Sequence, residues 1–208
     1  MSISIPPHLT PLLLTTLRIL PLLGSTASLT HAYMEYVTTS SFLTPAPTSS
    51  ILTKRIANAK TASADPPSAT AAKELEAAKE KAIPAWFVNF FNRAVWSVIG
   101  FNGLTTLSAI ANLYFFPEAL GEAKSLYVTG LGCAIAHYVF VIFVQPSIEA
   151  LFKKGVAQGK GQVEDGGRSA VSWLREWVRA HSWRMWSVDL LAWGCFLGGV
   201  VRVFSVYV

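Results

Sequence analysis

His31 and Glu35 stand one helical turn apart and form the first pair in this sequence whose types and spacing can do chemistry. An i, i+4 spacing stacks two side chains on one helix face. An imidazole beside a carboxylate is the recurring pairing of a general base with the group that orients it. A second set stands late in the chain, where His181 and Arg184 share a face and Asp189 follows more than a turn deeper. Asp189 falls within an apolar stretch, where a carboxylate needs a cation or hydrogen-bond donors; Arg184, Arg93 and the histidines are the candidates. His137 shares its face with Gly130 and Ala134, and small residues let helices approach closely in lipid, so His137 is expected to point into a bundle. The candidate catalytic set is therefore His31, Glu35, Arg93, His181, Arg184 and Asp189. Such a set can deprotonate an acidic phenol or β-diketone and hold the enolate with Arg93 or Asn89. Each member also has a structural alternative: a wetted His–Glu pair at the membrane interface, a single helix-to-helix hydrogen bond at His137, an Asp–Arg pair that locks helices together.

The elements that must position these groups are long and apolar. Of 208 residues 52% are hydrophobic and 14% charged, the balance of a membrane-embedded chain rather than a soluble one. Apolar stretches at about 9–36, 85–116, 125–152 and 181–207 are each long enough to cross a bilayer. The first lacks a basic leader and a small-residue cleavage pattern and is broken by Pro11 and Pro21, so it is expected to remain as a kinked first span. The second, within Pro84–Phe116, sets Asn89, Arg93, Trp96, Gly100 and Gly103 on one face. A polar mouth over a small-residue seam suits a helix lining a pocket, with Asn89, Trp96, Asn102, His137 and Trp177 as substrate-binding candidates.

Charge orders the connections. The one at 37–84 holds Lys54, Arg55, Lys60, Lys73, Lys79 and Lys81, and the one at 153–180 holds Lys153, Lys154, Lys160, Arg168, Arg175 and Arg179. The opposite side has Lys124 and, near the end, Arg202. By the positive-inside rule both long connections are cytosolic and both termini lumenal or exterior. Short surface helices are expected near residues 51–60, 71–82 and 170–181, with Pro84 opening the second span. The expected architecture is all-α: residues 1–208 as a single integral membrane domain, a four-transmembrane-helix bundle. Its first span ends, and its second and fourth begin, at the cytosolic side, so His31, Glu35, Asn89, Arg93, His181 and Arg184 should gather there around an enclosed chamber, with His137 and Asp189 deeper.

Several function classes lack their signatures. Cys133 and Cys195 sit mid-span without a CxxC spacing, which argues against thiol redox chemistry. No basic stripe interleaved with aromatics marks a soluble nucleic-acid-binding module. GxGxxG, GxSxG and a complete phosphate loop are missing. The four histidines are scattered rather than set in HxxxH or HExxH, so no metal is expected. Convergence of His31, His137 and His181 in a bundle would leave a copper or iron site open.

Three stretches carry a likeness. A Gly- and Ser-rich first span runs into polar residues from Gly24 to Glu35; Phe91, Arg93 and Trp96 open the second; Trp177, His181 and Arg184 precede the last. In this order the chain resembles the anthrone-oxygenase-like family of small four-helix fungal membrane proteins, apart from its longer 44–82 segment. The resemblance implies an enzyme of secondary metabolism that works without a tightly bound cofactor, with dioxygen as co-substrate, a lipophilic polyketide-type substrate, and oxidation or a related acid/base-assisted cyclisation. It implies residence in the bilayer, expected to be that of the endoplasmic reticulum. The alternative is a non-catalytic membrane subunit or scaffold that holds a partner biosynthetic enzyme, or a second copy of itself, at the membrane.

Overall fold

Backbone polar groups inside a bilayer must be satisfied within the chain, and helix is the local way to do it. The computed structural model describes residues 10–45, 50–56, 68–162 and 167–205. In order these form α1 (Thr10–Ser40), α2 (Ile51–Ile56), α3 (Ala69–Phe115), a 3-10 segment (Pro117–Ala123), α4 (Lys124–Gly159), α5 (Ala170–Arg184), one π-helical turn (Met185–Asp189) and α6 (Leu190–Ser205). Four helical stretches, Pro11–Ser40, Ala69–Phe115, Pro117–Gly159 and Ala170–Ser205, are long and apolar enough to cross a membrane. The fold is the expected all-α four-helix bundle. α1 packs on α3, α3 on α4, α4 on α5 and α6, and α6 returns to α1, so the ring closes in chain order.

The helices overrun the expected spans. α3 has 47 residues, which at 1.5 Å per residue is about 70 Å, more than twice the thickness of a hydrocarbon core. The stretch 71–82, expected as a separate surface helix, is the beginning of α3, which runs on through Pro84. Proline deprives the carbonyl four residues back of its N–H partner; here that carbonyl belongs to Glu80, and Gln158 Nε2 of α4 donates to it at 3.4 Å. The Glu80 carboxylate in turn accepts the N–H groups of Ala170 at 2.6 Å and Val171 at 3.1 Å. A carboxylate over the first turn of a helix satisfies orphan donors and complements the helix dipole, so the extended α3 anchors the start of α5. The stretch 170–181 is likewise no separate surface helix: Ala170, Val171, Leu174, Trp177 and Val178 are buried with Ile83, Phe87 and Leu151. It begins the fourth span. α2 is a separate short helix; residues 57–60 of that expectation lie outside the described residues.

At the other end Pro21 sits inside α1 and frees the carbonyl of Leu17. Asn112 Nδ2 of α3 supplies the missing donor at 2.7 Å. Beside it Tyr127 of α4 donates its hydroxyl to Arg18 O at 2.6 Å, and Arg18 Nη2 donates to Ala119 O at 3.0 Å. One turn on, a Cβ at Gly24 would stand 2.5 Å from Thr105 Oγ1, so glycine sets how closely α1 approaches α3. Trp96 and Tyr114 are 71% and 77% exposed on α3. They bracket about 27 Å of helix, close to the roughly 30 Å of a hydrocarbon core, as interfacial aromatics do.

Candidate functional site

α1 turns the face bearing Gly24, Ser28 and Glu35 toward the bundle, and α3 meets it with Asn102, α4 with His137, α5 with Trp177, His181 and Arg184. The fourth span contributes Asp189 through its π turn. There Leu190 N–H reaches back to Met185 O, five residues away. Widening by one residue brings side chains five apart level, and such turns recur at functional sites. Arg184 Nε accordingly donates to Asp189 Oδ2 at 3.2 Å.

From Asp189 the hydrogen bonds run in two directions. Toward α3, His137 Nδ1–H donates to Asp189 Oδ1 at 2.7 Å. That tautomer leaves Nε2 to accept from Asn102 Nδ2 at 3.3 Å, while Asn102 Oδ1 accepts from Ser28 Oγ at 3.4 Å. Toward α1, Arg184 Nη2 donates to His181 Nδ1 at 3.2 Å, and His181 Nε2–H donates to the Ala32 carbonyl at 2.8 Å. Every donor direction agrees with neutral imidazoles. Trp177 stacks on the His181 ring, centroids 4.7 Å apart and planes 15° apart, which holds the imidazole against rotation. His181, His137, Asn102, Glu35 and Asp189 are 1%, 3%, 4%, 6% and 7% exposed, so the set lies within the bundle.

Glu35 is held differently. Its carboxylate lies 3.7 Å from His31 Nδ1, 3.8 Å from His181 Nδ1 and 4.0 Å from Arg184 Nη2. These separations exceed hydrogen-bond length but couple charges strongly away from water. His31 Nδ1 is itself buried without a hydrogen-bond partner, although 22% of the side chain is exposed. The ring meets Phe101 edge-on at 6.1 Å. A buried polar atom left unsatisfied in an otherwise bonded cluster calls for a reason.

Three candidates fall elsewhere. Asn89, Arg93 and Trp96 are exposed on the outer face of α3; Asn89 Nδ2 donates to Ala85 O of its own helix. A Cβ at Gly100 or Gly103 would meet nothing within 4 Å, so that glycine line is no packing seam. The buried face of α3 runs instead through Phe87, Ala94, Asn102, Thr105, Ala109 and Asn112. Its spacing is as regular as that of the outer line, and its polar members Asn102, Thr105 and Asn112 were the signal that marks it. The Ala32 carbonyl and the Glu80 cap had no such signal, because a backbone acceptor and an exposed-looking glutamate carry none.

An enclosed chamber was expected at the cytosolic end; the cavity that borders this cluster lies deeper, beside Asp189. The cavity lined by Ser25, Ser28, Asn102, Thr105, Ala134, Asp189 and Ala192 holds about 10 Å³, room for about one water. Among the described residues no three His, Cys, Asp or Glu side chains are grouped to hold a metal ion. The chain matches no protein-family model, no curated protein and no solved structure.

Proposed function

We propose that this chain is a membrane-embedded enzyme that takes a lipophilic, readily deprotonated substrate from the bilayer and works on it by acid–base chemistry at His31 and Glu35. The single observation that carries the reading is the unpartnered Nδ1 of His31, 3.7 Å from Glu35 and on the partly exposed edge of a buried polar cluster. His31 accepts the substrate proton, the Glu35 carboxylate 3.7 Å away stabilises the imidazolium that forms, and Arg184 steadies the charge. With both carboxylates ionised, Arg184 faces Glu35 and Asp189 at once; a proton taken up at His31 restores the balance. Asp189, His137 and Asn102 act as positioning residues: Asp189 holds Arg184, His137 holds Asp189, and Asn102 holds His137.

The likeness to anthrone oxygenases extends this to an oxidation. Loss of a proton from an activated methylene gives a carbanion that passes its electrons to dioxygen; one oxygen atom stays as the new carbonyl and the other leaves as water with the two methylene hydrogens. The same first step serves a cyclisation when the carbanion attacks an electrophile instead. The charge asymmetry favours both long connections being cytosolic, and the endoplasmic-reticulum membrane follows from the same likeness. A glycan acceptor placed between residues 61 and 70 should stay unmodified in microsomes; efficient glycosylation there would invert the orientation.

Purified protein in detergent, given an anthrone under an oxygen electrode, tests the chemistry. Turnover lost in His31→Ala while folding is kept supports the site, and turnover unaffected by that change removes it. A second reading, a non-catalytic membrane subunit, is favoured by the closed hydrogen-bond chain from Ser28 to Ala32 O and the one-water cavity beside it. No turnover with an anthrone, together with co-purification of a biosynthetic enzyme or self-association, would select it.

A further inference from the structure

The outer side of α5 forms a groove with α4 of about 810 Å³, well apart from the His31 edge. Arg175 and Arg179, one turn apart and exposed, stand along it and make no hydrogen bond or ion pair with any described residue. The acidic group in its wall, Glu176, is engaged by Arg168. Beside Ser172 and Ala180 the remaining wall is aromatic: Phe140 and Phe143 pair at 5.8 Å, Phe143 is 59% exposed, and Trp183 is 69% exposed.

Depth decides what fits. His137 and Asp189 touch, and from them Phe143 and Trp183 each lie about 9 Å farther out along their helices, so the two aromatics stand level. That is the position of an interfacial aromatic. Arg179 and Arg175 follow one and two turns beyond Trp183, at about 6 and 12 Å, the level of headgroups. Two guanidiniums one turn apart can share the oxygens of one phosphodiester. Below them the Phe140–Phe143 wall continues into the apolar belt, where an acyl chain belongs.

We propose that this groove is a binding site for one anionic glycerophospholipid, its phosphate on Arg175 and Arg179 and an acyl chain along Phe140 and Phe143. A free anion would use the arginines and leave the aromatic wall idle; a soluble acidic peptide would not reach below Trp183. The lipid uses both.

Full-length protein in phosphatidylcholine nanodiscs containing a minor share of phosphatidylinositol tests this, with lipid retained through delipidation counted by native mass spectrometry. Wild type should retain phosphatidylinositol over phosphatidylcholine by about thirtyfold, as two surface arginines imply. Arg175→Gln with Arg179→Gln should abolish the preference, and Arg175→Lys with Arg179→Lys should keep most of it. Lys154→Gln, at the same end but outside the groove, should change nothing. Phe143→Ser, which leaves both arginines, should weaken retention of long-chain lipid only. An undiminished preference in the double Gln variant overturns the proposal. So does competition by soluble glycerophosphoinositol as effective as by the lipid, since that would make the site one for a free anion.

Discussion

At the Pro21 end of the bundle, buried polar side chains meet the backbone; at the His31 end they meet one another. Asn112, Tyr127 and Arg18 each donate to a main-chain carbonyl, and the Asn112 bond replaces a partner that proline removed. Donor and acceptor are matched at these three bonds, although Arg18 Nε is buried without a hydrogen-bond partner. Around Asp189, by contrast, a guanidinium, two carboxylates and three imidazoles lie within reach of one another. One imidazole nitrogen is unmatched and three separations are too long for bonds. Burial of polarity thus serves repair at one end and leaves chemical capacity at the other.

The sharpest way to break the contrast is Asp189→Asn. Removing one partner of a buried ion pair strands Arg184, and a loss of about 3–5 kcal/mol is expected in detergent unfolding. A loss no larger than that of a surface substitution would mean that the cluster is wetted, and the two ends would not differ in kind.

Next in size is Asn112→Leu, which leaves the Leu17 carbonyl without a donor at an expected cost of about 1–3 kcal/mol and no change in turnover. Pro21→Ala restores a backbone N–H there, so in that background the same substitution should cost less, with a coupling of about 0.5–3 kcal/mol in a double-mutant cycle. Strict additivity would show that Asn112 is not repairing the proline.

His31→Ala comes third on the stability scale. The ring gives up no hydrogen bond at Nδ1, so a change within about 0.5–1 kcal/mol is expected, against complete loss of activity. Smallest of all is Arg93→Ala. It should leave unfolding and turnover as in wild type, and a dead Arg93 variant would bring the outer face of α3 back into the site.

The legibility of the sequence followed the same division. His31–Glu35, His137 on its small-residue face and the need of Asp189 for a cation were readable because each depends on local periodicity or on the cost of charge in lipid. The stabilising cation was Arg184 rather than Arg93. Two stripes on α3 had equal regularity, and in lipid no hydrophobic force tells a glycine line facing tails from one facing a helix. The start of the second span was misread for a related reason: proline marks a boundary only when no neighbour replaces the lost bond, and at Pro84 Gln158 is such a neighbour.

Composition and periodicity alone therefore determined a four-span helical bundle with ionisable groups turned inward, because the penalty for unsatisfied polar groups in a bilayer admits little else. Tertiary structure decided which face of α3 is buried, that Arg184 bridges Asp189 and His181, and that His31 keeps an unpaired nitrogen. Those outcomes turn on distances between residues far apart in the chain and on a single π turn, and neither is encoded in any local pattern.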